Sequence, residues 1–366
     1  MSIDIGDMDD GTQWGVSQLL ARAAVASQCV DYGLTAAIDD FFLPAAARLD
    51  EKVRATLSAT LAGVVSAIEN PLRQHAGRLL ASDAAGLAAA LMERAPSVYD
   101  QLMSAGVLRD ADLMRELVAR ARQDVLSDAL PFVAPESADR ASLLTRHALN
   151  PDGVIAAAAM ALLAAENRRY GDRAVGTTLP ADLHRRLTWW IAAALRQRFA
   201  ETGGGGLAAL DSALVAAGQR GLAAHDEREG LEAAAMRLAV ALDPRADERA
   251  ALLVEALADR RLSLFVALIG HALGLAYGEA REIVLDPAGD RLWLVLRALD
   301  LDRDAIAGIG VALGAADPRR NLEAFAEALD GIAATSPASA RAALGPMLLP
   351  PEYRAAMVAL ARGGRP

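Results

Sequence analysis

Cysteine is almost missing from this chain. Cys29 is the only one among 366 residues, so no intramolecular disulfide and no cysteine metal cluster can form. In its Ala/Val-rich setting it reads as a buried, inert thiol. Lysine is as scarce: Lys52 stands alone beside 36 arginines, a bias that reads as a GC-rich genome. No glycine precedes Lys52, which excludes a Walker-type phosphate loop. A Schiff-base mechanism would have to use this charged, exposed-looking position. Basic charge is in deficit, 37 against 47 acidic residues, which weakens the case for a nucleic-acid partner. Aromatic residues are only 4%, and there is no Gly-x-Ser-x-Gly nucleophile elbow. The five histidines, His75, His147, His184, His225 and His271, never fall at His-x-x-x-His spacing. Only folding could cluster them, and no cofactor motif is present. Long apolar runs are lacking too. Val154 to Ala165 and Leu262 to Ala276 both fall short of about 18 residues, so no membrane span is expected. The start, with Asp4, Asp7, Asp9 and Asp10, is the opposite of a basic signal-peptide head. The expected location is the cytoplasm.

What is abundant is helix former. The chain holds 84 alanines, about 23% of its residues. Apolar positions recur at three and four, as in Leu113, Met114, Leu117, Val118 and Ala121. No alternating run reads as a strand. Six capping residues stand before proline, at Asn70, Asn150, Asp243, Asp286, Asp317 and Ser336. Each reads as a helix start with proline in the first turn. Together they predict an all-α chain of about eighteen short helices. Ala272-Leu273-Gly274-Leu275-Ala276 returns 26 residues later as Ala298-Leu299-Asp300-Leu301-Asp302. This predicts helical hairpins at 262–273 with 277–285 and at 291–299 with 303–313, stacked in a HEAT-like, α-solenoid-like array. Four consecutive glycines, Gly203 to Gly206, mark the best boundary. The expected organisation is an acidic flexible stretch 1–11, a helical lobe 12–200, a linker or loop 201–206, and a second lobe 207–366.

Several motifs dissolve on inspection. Asp300, Asp302 and Asp304 open like a calcium loop, but Ala305 and Val311 replace its glycine and glutamate. These carboxylates should instead cap a helix beginning at Arg303. Gly308, Gly310 and Gly314 miss the dinucleotide fingerprint by one residue and read as close helix packing. Ile269 to Arg281 has the look of a DNA-binding helix-turn-helix, with Tyr277, Glu279 and Arg281 opening the second helix. That would place a regulator at 262–285. Glu279 and Glu282 would then face phosphates, which speaks for an ordinary hairpin.

The most distinctive segment is Leu179-Pro180-Ala181-Asp182-Leu183-His184-Arg185-Arg186-Leu187-Thr188-Trp189-Trp190 and onward to Arg196. At 100° per residue, Trp190 joins Leu183, Leu187 and Ala194 and should be buried. Trp189 points aside, near Arg185 and Arg186. Here the chain resembles the alphaproteobacterial helical family labelled domain of unknown function DUF 2336. Ala161 to Arg169, Leu262 to Phe265 and Gly274 to Arg281 also carry the resemblance. Leu79 to Asp83 and Leu108 to Leu113 fit it more loosely, so that it covers about residues 75–310. It implies an all-helical, HEAT-like architecture and supplies no catalytic motif. The expected function is a helical-repeat scaffold or regulator without catalysis. Its protein partner would meet Trp189, Arg185 and Arg186, or the helix end Arg168, Arg169 and Tyr170. A homo-oligomer, a DNA-binding role and a small-molecule site or enzyme between the lobes are the alternatives.

Overall fold

The computed structural model describes residues 50–82, 84–92, 97–131, 141–171, 178–201 and 206–363. Cys29, the acidic stretch 1–11 and Gly203 to Gly205 lie outside them. Among the described residues there are seventeen α-helices, three 3-10 turns and no strand, so the all-α expectation holds. No single described helix is long and apolar enough to cross a membrane. The contacts divide the chain into two compact units, whose described parts are 50–122 with 160–234, and 123–159 with 235–363. Helices on both sides of 201–206, the expected linker, fall in the first of these.

The first unit is built on α1 (Glu51–Leu80), against which α2 (Ala85–Met92) packs. After α3 (Tyr99–Ser104) the chain enters α4 (Ala111–Ala129), runs through α5 (Leu143–Ala148), which belongs to the second unit, and comes back along α6 (Gly153–Gly171). Next come α7 (Ala181–Glu201) and α8 (Leu207–Ala224), which pack on each other and on α1. The predicted stripe of α4 is correct: Leu113, Met114, Leu117, Val118 and Ala121 are all buried.

Asn70-Pro71 does not start a helix. Pro71 sits inside α1, where it removes one backbone donor at a cost of about 3 kcal/mol. Tertiary contacts carry the helix past it. Glu69, 2% exposed, pairs with Arg73 at 3.2 Å and accepts from Ser97 Oγ at 2.7 Å and Val98 N at 3.1 Å. That buried carboxylate ties the helix, just before the proline, to the chain entering α3.

The second unit continues from α9 (Leu231–Leu242) through α10 (Ala246–Ala258), α11 (Leu262–Leu273), α12 (Tyr277–Leu285), α13 (Asp290–Ala298), α14 (Arg303–Ala316), α15 (Leu322–Ala334), α16 (Pro337–Leu344) and α17 (Pro351–Gly363). Of the six expected starts, only Ser336-Pro337 is a cap with proline in the first turn, Ser336 Oγ accepting from Ser339 N at 3.1 Å. Asn150, Asp286 and Asp317 accept instead from the amide two residues on. Such side-chain turns punctuate the chain, and the helix begins a few residues later. Asp243 receives His271 Nε2 at 2.8 Å and caps nothing.

The recurring sequence is a recurring helix stop. Gly274 and Asp300 are both left-handed, at φ 68° and 63°. Leu275 N reaches Gly270 O at 2.9 Å, and Leu301 N reaches Leu296 O at 3.1 Å. Arg260, φ 58°, repeats the motif through Arg261 N to Ala256 O at 2.7 Å. Helices α11 and α12 pack together as expected. The second expected hairpin is corrected: α13 packs chiefly along α16, and α14 along α10 and α15. Buried Arg297 sets this pairing, donating to Thr335 O at 2.9 Å while Arg341 donates to Ala298 O at 2.8 Å. Asp302 caps α14 as expected, accepting from Ala305 N at 2.8 Å.

Candidate functional site

Helix α7 carries the residues that the sequence singled out. Its buried positions are Leu183, Leu187, Thr188, Ile191, Ala192, Ala194 and Leu195. At 100° per residue this arc is rotated toward Thr188 and Leu195, so the two tryptophans bracket it. Trp190 is therefore half-buried rather than buried, and Trp189 is half-buried as well. Trp189 has a definite neighbour. A Cβ on Gly218 of α8 would fall 2.8 Å from its ring. The glycine makes room for the indole, and α7 and α8 approach closely through that pair.

Arg186 is held within the protein. It contacts Asp110 at 2.8 Å, Asp112 at 3.2 Å and Asp182 at 3.0 Å. Hydrogen bonds from Arg186 are the largest cause holding the Asp112 carboxyl below its usual range. Arg185 is exposed and forms no ion pair among the described residues.

The helix end on α6 is divided. Arg168 is exposed and donates to Glu229 O at 3.0 Å, while Arg169 is buried. The backbone of Tyr170 is helical; its side chain lies outside the described residues. Arg169 lines a cleft of about 350 Å³ with Arg120, Thr178, Glu227, Arg228 and Glu232. Arg120 there reaches Glu116 at 2.5 Å and Glu232 at 3.2 Å. Charges of both signs line this cleft.

Folding also gathers histidines that sequence spacing left apart. His184 on α7 and His225, just past α8, stack with ring centroids 3.8 Å apart and planes 6° from parallel. His75 on α1 lines the same cleft, of about 330 Å³. His225 Nε2 lies 2.8 Å from Leu179 O, which makes that nitrogen the N–H donor. Burial, with the neighbouring His225, pushes His184 down to about 4. His75 is lowered by desolvation and by the charges of Arg220 and Arg78. No group of three or more His, Cys, Asp or Glu side chains among the described residues is placed to hold a metal ion.

The helix-turn-helix outline is present, with α11 and α12 bent at 117°. Its reading residues are not at the surface. Tyr277 is buried and accepts from Gln123 Nε2 at 2.9 Å; Arg281 is buried; Glu279 pairs with Arg354 of α17. Core packing accounts for the apolar character of α11, whose residues from Leu262 to Gly270 are all buried.

Residues 175–345 match a family model described as an uncharacterised protein conserved in bacteria (DUF2336). The match takes in the whole Leu179 to Arg196 segment and both left-handed stops at Gly274 and Asp300. It leaves out Ala161 to Arg169 and the looser likeness nearer the N-terminus. No curated protein and no solved structure matches the chain.

Proposed function

We propose that this chain, whose residues 175–345 match the DUF2336 family model, is a HEAT-like helical interaction protein that regulates a protein partner and catalyses nothing itself. The observation that carries this reading is the outer face of α17. Tyr353, Met357 and Leu360 follow each other at four and three residues on one side of that helix, and all three are exposed. An apolar stripe left open to water at helical spacing is the form taken by helices that lie in a partner's groove. On the first unit, Arg185 of α7, exposed and without an ion pair among the described residues, is a separate contact point of its own, with Trp189 beside it. The partner is accordingly a protein with an apolar groove for α17, and an acidic patch on it would meet Arg185.

The test is capture of a stoichiometric partner by the tagged chain from its own cell lysate. The double variant Met357→Asp/Leu360→Asp should lose that partner while keeping the wild-type circular dichroism. Arg185→Ala should weaken it several-fold and flatten its salt dependence. Unchanged affinity in the double variant removes this reading.

A further inference from the structure

We propose that the cleft between α1, α7 and α8 is a binding site for a small organic acid, whose carboxylate sits between Arg78 and Arg220 and whose apolar body rests on Ile68 and Leu72. This goes beyond the interaction reading and does not depend on it.

The cleft lies wholly within the first unit and holds about 330 Å³, at the lower end for small-molecule sites. Its lining includes the apolar side chains of Ile68, Leu72 and Ala217. Its charged lining residues are of one sign. Arg78 and Arg220 line it, and no aspartate or glutamate does. In an acidic chain that is unusual. Arg186, Arg196, Arg245, Arg303 and Arg319 all rest against carboxylates. Arg78 and Arg220 form no ion pair among the described residues.

Close to both guanidinium groups lies His75. Its Nδ1 is buried and has no hydrogen-bond partner. A buried polar atom without a partner is costly, and a ligand oxygen or its proton would satisfy it. Desolvation, and after it the charges of Arg220 and Arg78, hold the ring's pKa below the ordinary histidine value. An anion placed among these three groups would relieve the repulsion, and below neutral pH would let His75 take up a proton. The stacked pair His184 and His225 also lines the cleft, a flat face for a compact apolar body.

The probe is cyclohexanecarboxylate, titrated into the full chain by calorimetry. Cyclohexylmethanol and inorganic phosphate serve as the uncharged and the head-only comparisons. Binding of the carboxylate, at least tenfold weaker binding of the alcohol, and no comparable binding of phosphate would support the site. Arg78→Gln and Arg220→Gln should each weaken the carboxylate about tenfold, with more proton uptake in wild type at pH 6 than at pH 8. Gly221→Leu provides a variant that keeps the fold. A Cβ at Gly221 meets nothing within 4 Å, and leucine favours helix over glycine. That side chain should fill the cleft and abolish binding without lowering Tm. No heat with the carboxylate, equal binding of the alcohol or of phosphate, or wild-type affinity in Gly221→Leu would each overturn the proposal.

Discussion

Two glycines, two residues apart on α14, should respond to the same substitution with opposite sign. Gly308 faces open space, since a Cβ there meets nothing within 4 Å. Gly308→Ala should gain helix propensity alone, about 1 kcal/mol. At Gly310 the same methyl would lie 2.2 Å from Cζ and 2.3 Å from Cε1 of Phe325. Ordinary contact needs well over 1 Å more. The ring cannot swing freely, because it lies against Trp293 with centroids 4.5 Å apart and is itself buried. Overpacking of this kind costs about 1–3 kcal/mol, which offsets the propensity gain and leaves a net loss of up to about 2 kcal/mol. Urea unfolding followed by circular dichroism would measure both. Gly308→Ala should raise the midpoint and Gly310→Ala should lower it, at equal slope. Near-ultraviolet dichroism should change only in Gly310→Ala, through Trp293. Adding Phe325→Leu should recover part of the loss in the Gly310 variant. A Gly310→Ala protein as stable as Gly308→Ala would refute the close α14–α15 contact on which the reasoning stands.

Stability should also fall with pH in a defined window. His184 has its folded value depressed to about 4. Below about pH 6.5 the unfolded chain takes up a proton that the folded ring refuses, so the contribution is whole above that pH and is lost toward pH 4. The full shift corresponds to about 3 kcal/mol; solvent screening of a partly exposed ring reduces this to about 1–2 kcal/mol. Denaturation of wild type and His184→Phe between pH 7 and 4.5 should show the wild type losing stability faster as pH falls, and parallel curves would contradict this. Asp302→Ala should lose about 1 kcal/mol with its cap on α14, whereas Asp300→Gly should gain about 0.5–1 kcal/mol by relieving a left-handed non-glycine residue; thermal melts of the pair would check both signs. Glu69→Ala should cost about 3 kcal/mol, because it strands the buried Val98 amide and takes the carboxylate from the largely buried Arg73. A loss below about 1 kcal/mol in urea unfolding would mean that water replaces the carboxylate.

Periodicity made the helices legible. The stripe from Leu113 to Ala121, the stop at Gly274 and the cap at Asp302 are local, and local chemistry decides them. The repeat of Ala-Leu-x-Leu was visible too, but it encodes where helices end, not which helices pair. Pairing of α13 with α16 depends on Arg297 reaching Thr335, 38 residues away, and nothing in the spacing announces it. Asx-Pro dipeptides misled for a related reason. The side chain can accept from the second amide onward without a helix following at once, and Asn70-Pro71 was overridden outright by the burial of Glu69. The division into units escaped because it passes within the continuous helices α4, α6 and α9, where composition shows no break. Gly-rich composition at 203–206 drew the boundary to a place where the flanking helices share a unit.

The candidate residues divide in the same way. Arginine content is a property of the whole sequence, and it could not distinguish Arg186, which three aspartates hold, from Arg185 one position away, which none does among the described residues. One residue is 100° of helix, and that rotation separates an internal tether from a surface charge. The same logic identifies Arg78 and Arg220. They lie on different helices, 142 positions apart in sequence, and neither sits in a motif. Only the packing of α1 on α8 brings both to one cleft with His75 beside them. In a chain with ten more acidic than basic residues, carboxylates are plentiful enough to neutralise every arginine that folding places near one. A cleft lined by two guanidinium groups and no carboxylate is therefore a place where an anion from solution meets little competition from the protein itself.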